Sequence, residues 1–461
     1  MSASTQDMTL QDLRARVSGG VFVPGEQGYD AARFTWNLSV NQQPALAVVA
    51  NNADDVAHAV RYANAHNMTI AVKTTGHGVI SPADDCMLIV TSAMNQVQVN
   101  APAKTAWVSG GAKWGDVLAQ TVPHGLAPVL GSTPEVGAVG YTLGGGFGWL
   151  GRNYGMSCDN VNAFQIVTAD GNIVRADATE NSDLFWALRG GGSNFGIVTG
   201  MEIRLYPVAN LYAGNLFYPV ENARAIFARY REWIADAPQA LTSSIVLMNF
   251  PPFPFVPEFV RGKSFVMVRG AFDGPTEQGE ALLKFWRDWQ TPLIDDFKSI
   301  PFAQIETVSN DPKDPLPCIS SGGWLNDLSD ETAETLIQYA LPQGGPPLLV
   351  FAEVRHAGGA IKNMNADSTA YSHRAQEHLL SVIAAAPTPE IRAAVLAHIA
   401  AMKNALGAHL NDAVYMNFLE GQEARTRTPQ GFTPEHYQRL VALKRKYDPQ
   451  NRFNHSYVLT A

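Results

Sequence analysis

The chain has 461 residues, 46% of them apolar and 16% charged, with 39 glycines. It is too long for one ordinary core, and this composition points to a compact enzyme-like protein of two or three domains rather than a disordered one. A net charge of −9, with no basic cluster denser than Lys444 to Lys446, leaves no electrostatic footprint for nucleic acid or an anionic membrane. Cys86, Cys158 and Cys318 lie too far apart for a CxxC metal pattern or a disulfide framework, so no metal site is expected, although one disulfide stays open. The opening MSASTQDMTLQDLRARV has no apolar leader core, and no later run nears ~18 apolar residues. A cytoplasmic protein is expected.

In chain order, residues 45 to 72 read as strand, Asn/Asp-capped amphipathic helix and strand, a βαβ unit. LIVTS, VQVN, TAWVSGG, FQIVTADGNIVRA and GIVTGMEIRLYPV follow as short β-rich runs, with Asp170-Gly171 marking a hairpin turn. The first 208 residues are therefore expected to be α+β. A boundary is placed near Val208, where longer helical stretches begin, among them ARAIFARYREWIADA and GEALLKFWRDWQTP. Strand-like FVMVRGAF and LLVFAEVRH, with helices expected around 330 to 340, 373 to 385 and 389 to 405, suggest an antiparallel sheet covered by helices over residues 209–430. Residues 431–461 hold a basic helix and the turn-rich YDPQNRF, and are expected to return to the first domain.

Gly146, Gly148 and Gly151 in LGGGFGWLG satisfy GxGxxG, but Arg152-Asn153-Tyr154-Gly155 interrupts the helix that a nicotinamide fingerprint needs, and Asp170 falls in a hairpin. A nicotinamide enzyme is set aside on those criteria. Three glycine-rich loops, KTTGHG at 73–78, LGGGFGWLG at 143–151 and RGGGSNFGIV at 189–198, present backbone without Cβ obstruction. Successive N–H groups in such loops form anion nests suited to a pyrophosphate, with Phe147, Trp149 and Phe195 available to pack on rings. Any one loop alone is as well explained as a turn.

GHG at 76–78, LGGGFGWLGRNYGMSCDNV at 143–161, VTADG, DLFWALRGGGSNFGIVT at 183–199, YMNF at 415–418 and YDPQNRF at 447–453 resemble, in this order, the berberine-bridge-enzyme-like branch of the FAD-linked oxidases in the vanillyl-alcohol-oxidase superfamily. The resemblance covers nearly the whole chain. It implies an α+β fold, with a two-part FAD-binding domain (1–208, completed by 431–461) and a substrate domain of antiparallel sheet and helices (209–430). It also implies FAD held by one covalent bond from His77 to the flavin 8α carbon, in the manner of the bacterial-type branch. Thr133 stands where many relatives supply a second, cysteinyl bond, and Lys73 replaces a common Arg, keeping charge but losing bidentate geometry. The cofactor-binding residues carried over are Lys73, Thr74, Thr75, Gly76, His77, Gly78, Thr133, Val136, Gly137, Gly140, Tyr141, Gly144, Gly145, Gly146, Gly148, Tyr154, Gly196, Val198 and Asn417.

A flavin oxidase needs a base for the substrate hydroxyl or amine. The tyrosine that plant relatives use is Phe418 here. Glu353 and Tyr415 are the candidate catalytic residues. By alternation Glu353 shares a face with Phe351 and Arg355, and it needs burial away from strong pairing to raise its pKa. Arg355 either supports that carboxylate or meets an acidic substrate. Val136 matches the small residue that permits oxygen access in relatives. Phe250, Phe253, Phe255, Phe259 and Trp324 hint at a lipophilic or ring-bearing substrate. The expected activity is oxidation of a small organic molecule, an alcohol or activated C–H of a secondary metabolite or sugar-like compound, with oxygen reduced to hydrogen peroxide. The alternatives are a dehydrogenase with another acceptor and a flavin-binding protein without turnover.

Overall fold

The computed structural model describes residues 8–254 and 256–460; Phe255 lies outside them. Three sheets organise the chain. In the first, Leu46–Val49 and Ile70–Lys73 flank Met87–Val90 in parallel, and Gly20–Phe22 adds an antiparallel edge. The expected βαβ unit is present, with the LIVTS strand inserted between its two strands. Helix Ala53–Ala65 makes the crossover; the Asn52 side chain caps it by accepting from Asp55 N at 2.9 Å, which satisfies one of the orphan donors of the first turn. Val56 and Val60 of this helix are fully buried, and each such side chain stabilises the layer by about 1.5–3 kcal/mol.

The second sheet is antiparallel, in the order Val97–Asn100, Thr105–Ser109, Ile197–Arg204, Val161–Val167, Ile173–Asp177. Its last pair is the hairpin expected at Asp170-Gly171. The four-residue helix Gly151–Tyr154 ends at Gly155, so no long helix follows the GxGxxG sequence.

The third sheet has eight strands, with Asn210–Pro219, Ser264–Phe272, Leu241–Asn249, Phe351–His356, His378–Ala385 and Cys318–Leu325 running in that order through its centre, all antiparallel. Alternation sorts its faces. Ile245, Leu247, Ala352, Val354, Leu380 and Val382 pack under helices Ala223–Ala235, Thr276–Arg287, Asp330–Ala340 and Pro389–Leu406. Glu353 and Arg355, offset by one residue, take the opposite face, toward the glycine loops. One expectation fails here: residues 373–385 contain a strand, His378–Ala385, not a helix. Its Ala, Leu and Glu content favours helix locally, but the segment pairs on both edges and is buried, and tertiary pairing overrides propensity.

Helix Pro434–Tyr447 and the segment after it pack against the first half of the chain. Lys444 Nζ donates to the Asn194 carbonyl at 3.1 Å, and the Arg452 carbonyl accepts from Ile70 N at 2.8 Å. All three cysteines are free. Among the described residues, no helix is long and apolar enough to cross a membrane, and no group of His, Cys, Asp or Glu is placed to hold a metal ion.

Candidate active site

A cavity of about 420 Å³ lies between the glycine loops and the third sheet. Lys73–Ile80 forms one wall. Thr133, Val136, Gly137, Gly140 and Tyr141 form a second, Gly196 and Val198 a third, and Ser320, Ile383 and Arg355 come from the sheet. Tyr415 and Asn417 to Glu420 close it, together with Phe453 and His455 to Tyr457 from the returning C-terminal segment. Three chain regions far apart in sequence thus meet at one space.

The first loop is fixed by its backbone. Trp36 N and Asn37 N donate to the Thr75 and Gly76 carbonyls at 3.0 and 3.1 Å. Gly76 has φ +79°, and a Cβ there would lie 2.8 Å from Thr35 Cβ, so only glycine accommodates both the left-handed backbone and the close approach. This places His77 on the cavity wall, its ring stacked on Trp36 at 4.3 Å and its Nδ1 2.8 Å from the Thr75 hydroxyl. The other ring nitrogen, Nε2, is buried and has no hydrogen-bond partner among the described residues. Burial lowers the His77 pKa to about 4, so the imidazole is neutral near pH 7 and keeps a lone pair available for bonding. Burial likewise brings Lys73 down to about 8; its ammonium donates to the Phe34 carbonyl.

Tyr415 is buried at the far wall. Its hydroxyl oxygen accepts from Gly146 N at 3.0 Å, Phe147 N at 2.9 Å and Asn417 Nδ2 at 3.1 Å. Burial pushes the phenol up to about 12, against the pull of these donors. Asn417 Nδ2 also reaches the Tyr141 carbonyl at 2.9 Å.

Several expected cofactor contacts lie behind the walls. Gly144, Gly145 and Gly146 do not line the cavity: a Cβ on Gly144 would meet Asn417 Oδ1 at 1.9 Å, so glycine there lets Asn417 and Tyr415 approach the loop. Gly148 borders a separate water-sized cavity. Tyr154 stacks on Tyr206 at 3.8 Å and donates to Asp273 at 2.6 Å, outside the cavity. Trp324 is fully buried in packing, Phe250 packs against a side cluster, and Phe253 and Phe259 are half exposed; none of these aromatic residues lines the cavity.

Glu353 meets half of the condition set for a base. It is fully buried, but Arg355 Nε donates to it at 2.8 Å, the Ser244 hydroxyl at 2.7 Å, and an Arg269 nitrogen lies 3.7 Å away. Burial pushes its carboxyl up, yet Arg355, Arg269 and Ser244 outweigh that and hold it below the ordinary glutamate value. It sits beneath the cavity floor, holding Arg355.

Glu420, which directly follows YMNFL, escaped the sequence reading. It is the one carboxylate among the described residues lining the cavity. Among the described residues its side chain takes one hydrogen bond, from Ser320 N at 3.3 Å, and makes no ion pair. Burial pushes it up to about 7. Trp36 escaped as well, because its stack on His77 joins residues 41 positions apart. Proximity to YMNF was the only signal for Glu420, and the sequence offered none for Trp36.

These walls fit FAD. Gly78 and Gly140 leave open space along the walls, and His77 Nε2 is a buried polar atom with no hydrogen-bond partner among the described residues, which a bound polar ligand would satisfy. The sequence agrees: residues 44–177 match the family model described as FAD binding domain, and residues 414–457 the one described as berberine and berberine like. The chain carries the FAD-binding and berberine-like domains, and its relatives are FAD-linked oxidoreductases. It is 26% identical to an FAD-linked oxidoreductase of Dictyostelium discoideum over 95% of this chain and 94% of the relative. It is also 27% identical to (R)-6-hydroxynicotine oxidase of Paenarthrobacter nicotinovorans over 96% of each. The crystal structure of 6-hydroxy-D-nicotine oxidase from Arthrobacter nicotinovorans superposes over 100% of both chains with a TM-score of 0.84 at 24% identity. This berberine-like chain is an FAD-dependent oxidoreductase with the vanillyl-alcohol-oxidase fold.

Proposed function

We propose that this oxidoreductase is an oxidase with a single covalent flavin link through His77, acting on a small organic substrate and reducing oxygen to hydrogen peroxide. The observation that carries the reading is His77 itself: on the cavity wall, neutral at pH 7, oriented by Thr75 and Trp36, with Nε2 unpartnered. Thr133 on the same cavity has no sulfur. Cys318, the sole thiol among the described lining residues, is pushed up to about 12 by burial, so it stays protonated and a poor nucleophile. Both points support one link rather than two.

FAD, when bound, supplies the two-electron acceptor for the substrate's hydride. The chain's own residues do the rest. Lys73 to Ile80, the wall of residues 133–141 and Gly196 to Val198 hold the cofactor, Asn417 presents its amide, and the small Val136 side chain leaves room for oxygen. Glu420 accepts the substrate proton, since a base working near neutrality needs a pKa near 7 and an accessible lone pair. Glu353 acts through Arg355 as a positioning residue, and Tyr415 braces the loop at Gly146 and Phe147.

The test is a visible spectrum of purified protein before and after acid denaturation, with the His77→Ala variant in parallel, and a peroxide assay on air reoxidation. Yellow retained in the wild-type pellet and released by the variant supports the link, and stoichiometric peroxide supports an oxidase. Colour released from both proteins overturns the covalent link. Reoxidation by a quinone far faster than by air would make the protein a dehydrogenase.

A further inference from the structure

We propose that the substrate is an acid, its carboxylate held by Arg355 at the junction of the main cavity and a donor-rich side pocket. The inference rests on the oxidoreductase reading above and adds the substrate class. Arg355 projects from the sheet floor with 17% of its side chain exposed. Of its five N–H donors, Nε–H is committed to Glu353 at 2.8 Å and Nη1 makes one long contact to the Phe147 carbonyl at 3.5 Å. Nη2 makes no hydrogen bond among the described residues. Ser132, Phe147 and Arg355 line both the main cavity and a second one of about 10 Å³, room for a single oxygen-sized group.

The second cavity is also lined by Thr242, Ser243 and Trp149, whose indole N–H is buried with no acceptor among the described residues. A donor-only indole and the guanidinium border one space of single-oxygen size at the edge of the main cavity, which suits one oxygen of a carboxylate whose other oxygen stays in the main cavity. Arg355 and Arg269 share Glu353 between them. Asp311 acts on both arginines and Asp296 on Arg269, and one Asp311 oxygen accepts from the Ser132 hydroxyl at 2.5 Å, so the free Nη2 donors of Arg355, rather than a net charge, are what a ligand would meet. Beside the guanidinium, the Phe418 ring lies 5.3 Å from its central carbon, and Ile383 continues an apolar floor. The site therefore offers a charged anchor with an apolar shelf, which suits a carboxylate on a flat or hydrocarbon body.

Purified flavoprotein would be titrated calorimetrically, and by difference absorbance of its flavin, with benzoate, phenylacetate and hexanoate and with the neutral amide of each. The expected result is at least one acid bound about tenfold or more tightly than its amide, as a charge-assisted hydrogen bond allows. That preference should be lost in Arg355→Met and partly kept in Arg355→Lys. Equal binding of every acid and amide, or no binding by any, overturns the proposal, and both readings need only the wild-type protein. An acid preference that survives Arg355→Met also overturns it. A protein that never retains flavin would instead sink the oxidoreductase reading, a result visible before any titration.

Discussion

Arg355 Nε donates to Glu353 Oε2 across 2.8 Å, and this fully buried carboxylate is also approached by Arg269 from two strands away. Removing the carboxylate leaves two guanidinium groups facing each other in low dielectric. Glu353→Gln should therefore destabilise the fold by about 3–5 kcal/mol, the cost of breaking a buried pair, measured by urea denaturation. The pH dependence has a definite sign. The folded Glu353 pKa lies below its ordinary 4.5, so its stabilisation is complete above that value and is lost as pH falls through the folded pKa. The gap between wild type and variant should be full at pH 7 and shrink below about pH 4. A catalytic base would give the opposite pattern, lost turnover with stability unchanged.

Glu420 predicts a different pH behaviour. Its pKa of about 7 means that it is protonated, and unable to accept a proton, in mild acid. The rate of flavin reduction by substrate should rise with pH through about 7, and Glu420→Gln should lower that rate by about 10²–10⁴-fold and flatten the limb. Stopped-flow bleaching of the flavin reads both. Cys318, Arg392 and Tyr457 are the titratable or charged groups that act on Glu420 or feel its charge. Burial pushes Cys318 and Tyr457 up and away from 7, so a limb that survives in the variant would remove Glu420 from the mechanism.

Tyr415 tests a bracing role. Tyr415→Phe leaves the Gly146 and Phe147 N–H groups without their acceptor in a buried wall, at a cost of about 1–3 kcal/mol. A fall in Tm together with looser flavin binding is expected, as is fuller recovery of turnover than in Glu420→Gln. Loss of turnover at full stability would return Tyr415 to the chemistry.

The elements that sequence made legible are those where local signals and global packing agree. Asn52 caps the helix its sequence announces, Asp170-Gly171 turns the hairpin, and Pro389 opens the long helix. His378–Ala385 was misread because an Ala- and Leu-rich segment carries no local mark of pairing on both edges. The site divides in the same way. KTTGHG shows its glycines, and the histidine between the last two, directly, and those residues line the cavity. In LGGGFGWLG, however, Gly144, Gly145 and Gly146 serve contacts with Asn417, Tyr371 and Ser157, partners 11 to 273 positions away that no spacing rule reveals. Glu353 could be placed on its face by alternation, but its pairing with Arg269 depends on sheet order, which one sequence does not display.

Gly76 offers the sharpest test that the first loop is built for its histidine. Its φ of +79° and the 2.8 Å approach of Thr35 Cβ to a would-be Cβ leave no unstrained place for a methyl group. Gly76→Ala should cost about 1 kcal/mol or more from the left-handed backbone alone, with a further cost from the clash. The strain falls beside His77 and on the backbone bond from Asn37 N to the Gly76 carbonyl, so relaxation would move the imidazole out of its stack on Trp36. The variant should therefore purify with a lower fraction of acid-stable flavin, while Gly78→Ala, where a Cβ would meet no protein atom within 4 Å, should leave the loop unstrained and lose less. The absorbance ratio of flavin to protein in the acid pellet measures both. Equal losses in the two variants would mean that loop flexibility, not the placement of His77, is what these glycines provide.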